Sequence, residues 1–291
     1  LLRRIYDKGQ VRKEDGGLTI TAPLDYAENG TYQRYSGYDV LNIGASEVIS
    51  AAEFQWRQIA INVVANGMEL RTNSGDSRII NLVKSRMKNA MRTFKNNFSS
   101  DVYSDGPPAN QINGLQALVA NAGTGTGGGI DSPTMTFCPN KVQSAAAPLQ
   151  GGGAIVPGPT TIESLMLPLW LSLTRGDDQP DLIVMDNNYF TFFEQSQTSI
   201  KRYTDETKAN AGFVSLKYKG ADVIFDGGSG IPTNTAYFLN TDYLELVVHK
   251  DADMTVMDEL KPYNQDAAVV PVLWMGNMTV TNRALQGVMK A

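Results

Sequence analysis

Apolar and polar residues alternate near the start of the chain. Every second residue from Leu18 to Tyr26 is apolar or aromatic, which is the period of two expected of a β-strand. Pro23 lies inside this run and cannot donate a ladder hydrogen bond, so we expect an edge strand. After a Gly-, Asn- and Tyr-rich stretch, a second β-rich run extends from about Val48 to Val64. The two runs predict a long β-hairpin. Because an isolated hairpin is marginal in water, it should lie on another part of the fold or on another subunit.

The strongest helical pattern follows this hairpin. Asp76 marks its predicted start, and the helix should end before the breaker at residues 105–108. Apolar residues recur at steps of three and four, namely Ile79, Ile80, Val83, Met87, Met91, Phe94 and Phe98. Four basic residues form a separate stripe on the flank, namely Lys84, Lys88, Arg92 and Lys95. A helix of about 24 residues would be about 36 Å long, which is long for a globular domain.

The rest of the chain mixes short helices with short strands. Residues 109–159 are rich in Gly, Ala and Pro and predict loops. A second helix should begin at the capping-box spacing of Thr160–Glu163, and Asp186 should cap a short aromatic helix. Predicted strands cover 182–185, 213–218, 221–225, 237–239, 244–248, 268–275 and 278–281. The class is α+β, with strands far apart in sequence sharing sheets.

Composition and charge narrow the classes of function. Of the 291 residues, 42% are hydrophobic and 19% are charged, which is typical of a folded chain with a low share of charge. Interface cores are depleted of charged residues, so an obligate assembly would have a low share of charge. Ordinary variation between proteins would explain the same low share equally well. The net charge of −5 argues against a dedicated nucleic-acid binder but leaves room for a local basic stripe. No apolar run predicts a transmembrane helix, and no signal peptide is visible.

Candidate catalytic and metal-binding residues are few. His249 is the only histidine, and its place at the end of an apolar strand favours a structural role over catalysis. Cys138 is the only cysteine, which excludes a disulfide within the chain and fits a reducing compartment. It is interpreted as a buried structural thiol, and one His with one Cys cannot build a usual zinc site. We therefore predict no catalytic residue, no cofactor and no metal.

Two further motifs are interpreted as loops. The Gly123–Gly129 run lacks the Lys-Ser/Thr ending of a phosphate-binding loop, so it is interpreted as a flexible surface loop. Three acidic residues follow a predicted helix C-terminus, namely Asp177, Asp178 and Asp181. The helix dipole disfavours anionic side chains at this end, so we do not expect a cation site here. A solvated loop is favoured.

Two surfaces are candidates for contacts with other molecules. The hairpin tip carries Tyr26, Tyr32, Arg34, Tyr35 and Tyr38. Tyr and Arg are enriched at interface hot spots, and a loop this aromatic would otherwise expose much apolar surface. An intermolecular contact is therefore favoured over a solvated loop. The basic stripe of the long helix could contact DNA or another subunit. The alternative is a solvated helix face, and this alternative is favoured.

The order of these parts resembles the Hong Kong 97-type capsid fold of tailed phages, over nearly the whole chain. Three phrases also resemble phage major capsid sequences: Gln111–Leu115, Pro180–Met185 and Tyr218–Asp226. The resemblance implies an N-arm at 1–15 and an extended E-loop hairpin at 16–66. It also implies a P-domain at 67–109 and 250–291, with its spine helix at 75–99, and an A-domain at 110–249. In this family the E-loop lies across an adjacent subunit.

The resemblance implies a major capsid protein of the virion, assembled in the host bacterial cytoplasm into hexamers and pentamers that enclose double-stranded DNA. Its implied partners are itself, portal and scaffolding or cement proteins, and DNA bound non-specifically, with no membrane. One departure matters. The type member joins an E-loop lysine to a neighbour's asparagine, and this sequence has no lysine from Glu14 to Val83.

Two other functions stay open. An encapsulin-like nanocompartment shares the fold and encloses cargo enzymes, so the content of the particle would distinguish it. An enzyme of α+β fold, for example one acting on carbohydrates, would run as a small species and show a carboxylate pair in a cleft. No such pair stands out in the sequence.

Overall fold

The computed structural model describes residues 1–25, 29–44, 48–72, 82–106, 110–135, 137–197, 216–226 and 230–291. Its helices are α1 (Leu2–Asp7), α2 (Gly67–Thr72), α3 (Leu82–Asp101), α4 (Leu115–Leu118), α5 (Ile162–Leu173) and α6 (Asn187–Ser196). Its strands are β1 (Val11–Glu14), β2 (Ile20–Asp25), β3 (Ile49–Phe54), β4 (Arg57–Asn66), β5 (Thr126–Gly127), β6 (Ile130–Asp131), β7 (Lys141–Ser144), β8 (Leu182–Met185), β9 (Leu216–Tyr218), β10 (Ala221–Phe225), β11 (Thr235–Leu239), β12 (Leu244–His249), β13 (Thr255–Val256), β14 (Ala267–Val280) and β15 (Gly287–Lys290). The predicted α+β class is confirmed.

The first large sheet is built on the long strand β14. It pairs antiparallel with β4 from Ala267 opposite Asn66 to Gly276 opposite Arg57. The end of β14 pairs with β12, which in turn pairs parallel with β1. Helix α3 lies against this sheet, where the Phe98 ring meets the Trp274 ring edge-on at 4.9 Å between centroids. The sheet therefore unites strands from both ends of the chain.

The second large sheet has six strands in the order β7-β15-β11-β8-β10-β9. β8 is buried at every position, as its unbroken apolar run predicted. The apolar faces of α5 and α6 pack on this sheet and form a second core with it, including Leu165, Leu169 and Phe193. The two predicted strands on either side of Lys219 and Gly220 form a hairpin, since β9 and β10 pair antiparallel.

The predicted long hairpin is correct only for its first part. β2 pairs antiparallel with β3 from Ile20 opposite Phe54 to Asp25 opposite Ile49, in a two-stranded sheet that leaves β2 at an edge. The chain then breaks at residues 55–56, and β4 joins β14 instead of continuing the hairpin. Alternation shows that a strand has one buried face but not which strand it pairs with, so the prediction of one hairpin strand over 48–64 was wrong.

The N-terminal residues 1–15, for which the resemblance implies an N-arm, are folded against the body. Ile5 of α1 is fully buried, and β1 pairs with β12 from Val11 opposite Leu246 to Glu14 opposite His249. Several charged side chains of this segment pair with distant acids, as in the contact of Lys13 Nζ with Asp253 Oδ2 at 2.7 Å. Local composition cannot show such partners.

The predicted domain boundaries also differ from the sheets. β12 was assigned to the A-domain (110–249) but lies in the first sheet with β14. β15 was assigned with 250–291 to the P-domain but lies in the second sheet between β7 and β11. Helix α3 ends at Asp101, before the predicted breaker, while its predicted start at Asp76 lies outside the described residues.

One predicted cap is confirmed and one is wrong. The Asp186 carboxylate accepts hydrogen bonds from the backbone N–H groups of Tyr189 and Asn188 and so caps α6. At α5 the N-cap is Thr161, whose hydroxyl donates to the carbonyl of Val156 at 2.7 Å instead of capping the helix. The Glu163 carboxylate accepts from Gln197 Nε2 at 2.8 Å, so no capping box forms.

Asp181 ties the N-terminal segment to the loop that follows β11. Its Oδ1 accepts from the backbone N–H of Thr241 at 2.7 Å, and its Oδ2 accepts from the Thr241 hydroxyl at 2.8 Å. Arg4 Nη2 and Lys8 Nζ each lie 3.1 Å from Oδ2. Burial alone would raise the pKa of Asp181, but the hydrogen bonds from Thr241 and Lys8 outweigh it and hold the pKa below its usual value.

Replacing Asp181 by Asn should lower the free energy of unfolding of the unassembled subunit by about 2 kcal/mol at neutral pH, because a buried charged acceptor is lost. Since the folded-state pKa is lowered, this contribution is present above the unfolded-state pKa of about 3.9 and is lost as the pH falls through the folded-state value. Urea unfolding at neutral and at strongly acidic pH should therefore show a smaller difference between wild type and variant in acid.

The matched control is Asp242→Asn. The Asp242 side chain is 61% exposed and forms an ion pair with Lys8. Its replacement should cost no more than about 0.5 kcal/mol, as for other exposed ion pairs. Equal losses in the two variants, or an Asp181→Asn difference that grows in acid, would contradict this account of Asp181.

Candidate assembly interface

The tip of the β2–β3 hairpin is the most apolar exposed segment of the described chain. Tyr32, Tyr35 and Tyr38 are 81%, 66% and 106% exposed, and Arg34 beside them is exposed as well. Tyr26, the remaining predicted tip residue, lies outside the described residues. Val40, Leu41 and Ile43 are also exposed on the tip, and the sequence reasoning missed them because it looked for hot-spot residue types. Exposed apolar side chains gathered on one segment are typical of interaction sites, so the tip is a candidate interface.

The tip has an internal framework of hydrogen bonds. Gln33 Nε2 donates to the carbonyl of Val40 at 3.1 Å, and Gln33 Oε1 accepts from the backbone N–H of Asn42 at 3.1 Å. Asn42 Nδ2 donates to the carbonyl of Gly30 at 3.2 Å. These bonds join the two sides of the loop, so the exposed aromatic side chains are presented on a preorganised backbone, which lowers the entropy lost on binding.

The base of the hairpin is anchored in its own subunit. Ile20 and Ala22 of β2 are fully buried, and Ala52 and Phe54 of β3 are almost fully buried. All four belong to the core that includes the first sheet. The hairpin was expected to lie on another part of the fold or on another subunit. Its base lies on the core of its own subunit, whereas the tip is not covered.

The β5–β6 turn holds this base, which corrects the interpretation of Gly123–Gly129 as a free surface loop. β5 and β6 form a tight hairpin, and the backbone N–H of Glu53 donates to the carbonyl of Gly128 at 2.8 Å. Gly128 has φ +59, and a Cβ there would lie 2.6 Å from Ala52 Cβ and 2.9 Å from Phe54 Cζ. Only glycine allows both this backbone and this close approach.

A second exposed apolar surface lies between β13 and β14, and the sequence reasoning did not find it. Its exposed side chains are Val256, Met257, Leu260 and Tyr263. Leu260 pairs with Val269 through two backbone hydrogen bonds of 2.8 and 2.9 Å, so the segment folds back beside β14. The sequence signal was weak, since single apolar residues among charges and Pro262 are usual on a surface.

The four residues of the predicted basic stripe lie on α3. Lys84, Lys88, Arg92 and Lys95 are all exposed, while Phe98 on the neighbouring apolar face of the helix is buried. Between Leu82 and Asp101 the helix has one acidic residue, Asp101 at its end. Arg86 lies apart from the stripe, and its guanidinium contacts Glu69 at 2.8 Å.

The residues considered for chemistry have structural contacts. The His249 ring meets the Trp56 ring edge-on at 5.7 Å, and its Nδ1 accepts from the backbone N–H of Asp251 at 3.2 Å. Cys138 is buried and not disulfide-bonded. Across the described residues, no three His, Cys, Asp or Glu side chains form a group that could hold a metal ion. Among those same residues, no helix has the length and apolar character needed to span a membrane.

Comparison with solved structures finds capsid shells. The chain is similar to a protein of the cyanophage A-1(L) capsid asymmetric unit, at 15% identity and a TM-score of 0.62, over 97% of this chain and 90% of that one. It is similar to the capsid protein of the native GTA particle at 12% identity and a TM-score of 0.62, over 97% and 88% of the two chains. The chain has a phage capsid fold.

A shell protein outside the phages has a weaker likeness. The SrpI encapsulin complex of Synechococcus elongatus matches at 10% identity and a TM-score of 0.54, over 83% of this chain and 75% of that one. No family model and no curated protein matches the sequence. The capsid fold therefore became visible through the order and pairing of its elements.

Within this capsid fold, Gly128→Ala should lower the free energy of unfolding by about 2–4 kcal/mol, because it combines a left-handed backbone with a clash against β3. Gly129→Ala is the matched control. Gly129 has φ +76, but no atom lies within 4 Å of the position that its Cβ would take, so the variant should lose only about 1–2 kcal/mol for the backbone. Chemical unfolding of both variants measures the difference, and equal losses would show that the turn does not support the hairpin base.

Proposed function

We propose that this chain is the major capsid protein of a tailed double-stranded DNA phage, which assembles with copies of itself into the hexamers and pentamers of an icosahedral head. The observation that carries the proposal is an uncovered aromatic hairpin tip on a base anchored in its own subunit. The capsid fold, matched over 97% of the chain, supports the same function.

The size of the tip contact explains why many copies are needed. Fully burying one large apolar side chain contributes about 1.5–3 kcal/mol, so three tyrosines contribute at most about 9 kcal/mol. Association costs about 4–15 kcal/mol in lost translational and rotational freedom. One tip contact is therefore weak by itself, and a closed lattice in which every subunit makes several contacts gives the stability.

The regions of the capsid fold map onto the observed strands. In this proposal the E-loop is the hairpin from β2 to β3, with the strand β4 belonging to the P-domain sheet. The A-domain is the six-stranded sheet with α5 and α6, and residues 1–15 are an N-arm folded on the body. Because no lysine lies between Glu14 and Val83, the shell gains its strength from buried area, strand pairing and a cement protein, and not from an isopeptide bond through the E-loop.

The remaining partners follow from the same proposal. Portal and scaffolding proteins would act during assembly in the host bacterial cytoplasm, and the product would be the virion capsid. The exposed stripe of α3 gives packaged DNA a non-specific contact, since Lys and Arg side chains displace counterions from phosphates.

The double variant Arg34→Glu with Tyr35→Ala should weaken assembly by at least about tenfold in the concentration required, because it removes two hot-spot side chains from the tip. The free energy of unfolding of the subunit should change by less than about 0.5 kcal/mol, since both side chains are exposed. Light scattering and negative-stain microscopy measure shell yield, and chemical unfolding measures the subunit.

The conservative variant Arg34→Lys with Tyr35→Phe serves as control and should assemble with little loss, because it keeps the charge and nearly all of the aromatic area. Normal shell yield from the Glu/Ala variant would contradict the proposal that the tip forms a contact between subunits. A subunit that unfolds would instead show that the tip supports its own fold.

The stripe of α3 is tested by Lys88→Gln with Arg92→Gln. If both side chains contact phosphates, the salt dependence of binding to a duplex DNA should flatten by about two counterions, with shell yield unchanged. Lys250→Gln, an exposed lysine paired with Asp15, is the control. An unchanged slope with normal yield would mean a solvated face, and an unchanged slope with low yield would mean a contact between subunits.

The second candidate function is an encapsulin-like compartment, which the likeness to the SrpI shell favours. Purified particles with nuclease-protected DNA support the phage head, whereas particles holding a protein cargo support the compartment. An enzyme of the same fold class would elute as a small species without shells.

A further inference from the structure

A small cavity with cationic walls lies at the base of the hairpin. Its volume is about 210 Å³, and it is enclosed by β2, β3, the β5–β6 turn and the segment that connects β14 to β15. Three of its lining residues are basic, namely Lys141, Arg175 and Arg283. Among the described residues that line it, none is an aspartate or a glutamate. The cavity therefore has a concentration of positive charge without a matching acid.

Arg283 is the buried member of this set, with 4% of its surface exposed. Its Nε donates to the carbonyl of Leu118 at 2.8 Å, and its Nη1 donates to Ser132 Oγ at 3.0 Å and to the carbonyl of Gly125 at 3.3 Å. Every one of these acceptors is neutral. Nη2 is buried and has no hydrogen-bond partner within the described part of the chain.

A guanidinium stays protonated at any pH at which the protein is folded, so Arg283 cannot lose its charge to relieve burial. Buried charges in proteins are as a rule paired. Lys141 and the exposed Arg175 add further positive charge to the lining of the cavity. An anion is therefore the partner that this arrangement lacks.

The β5–β6 turn packs closely against the guanidinium. A Cβ on Gly127 would lie 2.8 Å from Nη1 and 3.0 Å from Cζ of Arg283. At about 210 Å³ the cavity is smaller than the usual sites for drug-sized ligands of about 300–1,000 Å³. The available room suits one carboxylate or one phosphate-like group and excludes a nucleotide.

We propose that this cavity is a binding site for a single oxyanion, held by the buried guanidinium of Arg283 with Lys141 and Arg175 as further cations. An oxyanion accepts a charge-assisted hydrogen bond from Nη2, which gives Nη2 a partner and neutralises the buried charge. The oxyanion is either a free ion or a carboxylate side chain from a second copy of the chain. The second source rests on the proposed function, and the first does not.

The test titrates inorganic phosphate, and separately acetate, into the unassembled full-length subunit in a chloride buffer. Wild type should show saturable binding by calorimetry and a matching rise in melting temperature. Arg283→Gln should weaken the apparent affinity by at least about tenfold, and Arg175→Gln by a smaller factor, because charge-assisted hydrogen bonds are lost or weakened. Phosphate also stabilises proteins through exclusion from their surface, so the difference between variants is the readout.

Two further variants keep the test decisive if Arg283→Gln does not fold. Gly127→Ala retains all three cations but forces the Arg283 guanidinium to move, so it should also weaken binding. Lys250→Gln lies outside the cavity and should bind as wild type does. No saturable binding of either anion to wild type, or equal binding by wild type, Gly127→Ala and Arg175→Gln, would overturn the site.

Assembled particles distinguish the two sources. If a neighbour's carboxylate fills the cavity, phosphate should bind the subunit but not the shell, and it should slow assembly. If the ion is free, both forms should bind it equally. Failure to form any shell would count against the proposed function, while phosphate binding by the subunit would still establish the site.

Discussion

Asn277 fixes where the hairpin leaves the body of the subunit. It is fully buried in β14, where its Nδ2 donates to the carbonyl of Gln55 at 2.8 Å and its Oδ1 accepts from the backbone N–H of Asn113 at 2.7 Å. Gln55 belongs to the junction between β3 and β4. One buried amide therefore joins the first sheet, the exit of the hairpin and the loop before α4, and a buried amide without these partners would be costly.

This junction separates two strands, β3 and β4, that the sequence pattern predicts as one. β4 on one side of it takes part in a ten-residue pairing with β14, while β3 on the other side pairs only with β2. The hairpin base gains its support from the core and from the β5–β6 turn at Gly128. Both strands of the hairpin base are therefore fixed to the body, while the apolar side chains of the tip are exposed.

Sequence periodicity was sufficient where one element decides its own structure. The buried run of β8, the Asp186 cap of α6 and the apolar face of α3 all follow from local spacing. Periodicity could not predict which strands pair, because the same alternation is compatible with many partner strands. The N-terminal segment shows this most clearly, since the acids that pair with Arg4 and Lys13 lie more than 170 positions away in the chain.

The candidate interface was predictable by residue type but not by extent. Tyr and Arg identified the tip, whereas the exposed Val40 and Ile43 and the surface around Tyr263 required the structure.

The presence of two separate apolar surfaces bears on the kind of assembly. A two-fold dimer needs one self-complementary patch, but a ring needs two different patches that meet head to tail. The hairpin tip and the segment between β13 and β14 are different in sequence and in shape, so they suit heterologous contacts. Such contacts close into rings or shells when the rotation between neighbours permits, which is the geometry that a capsid fold has to supply.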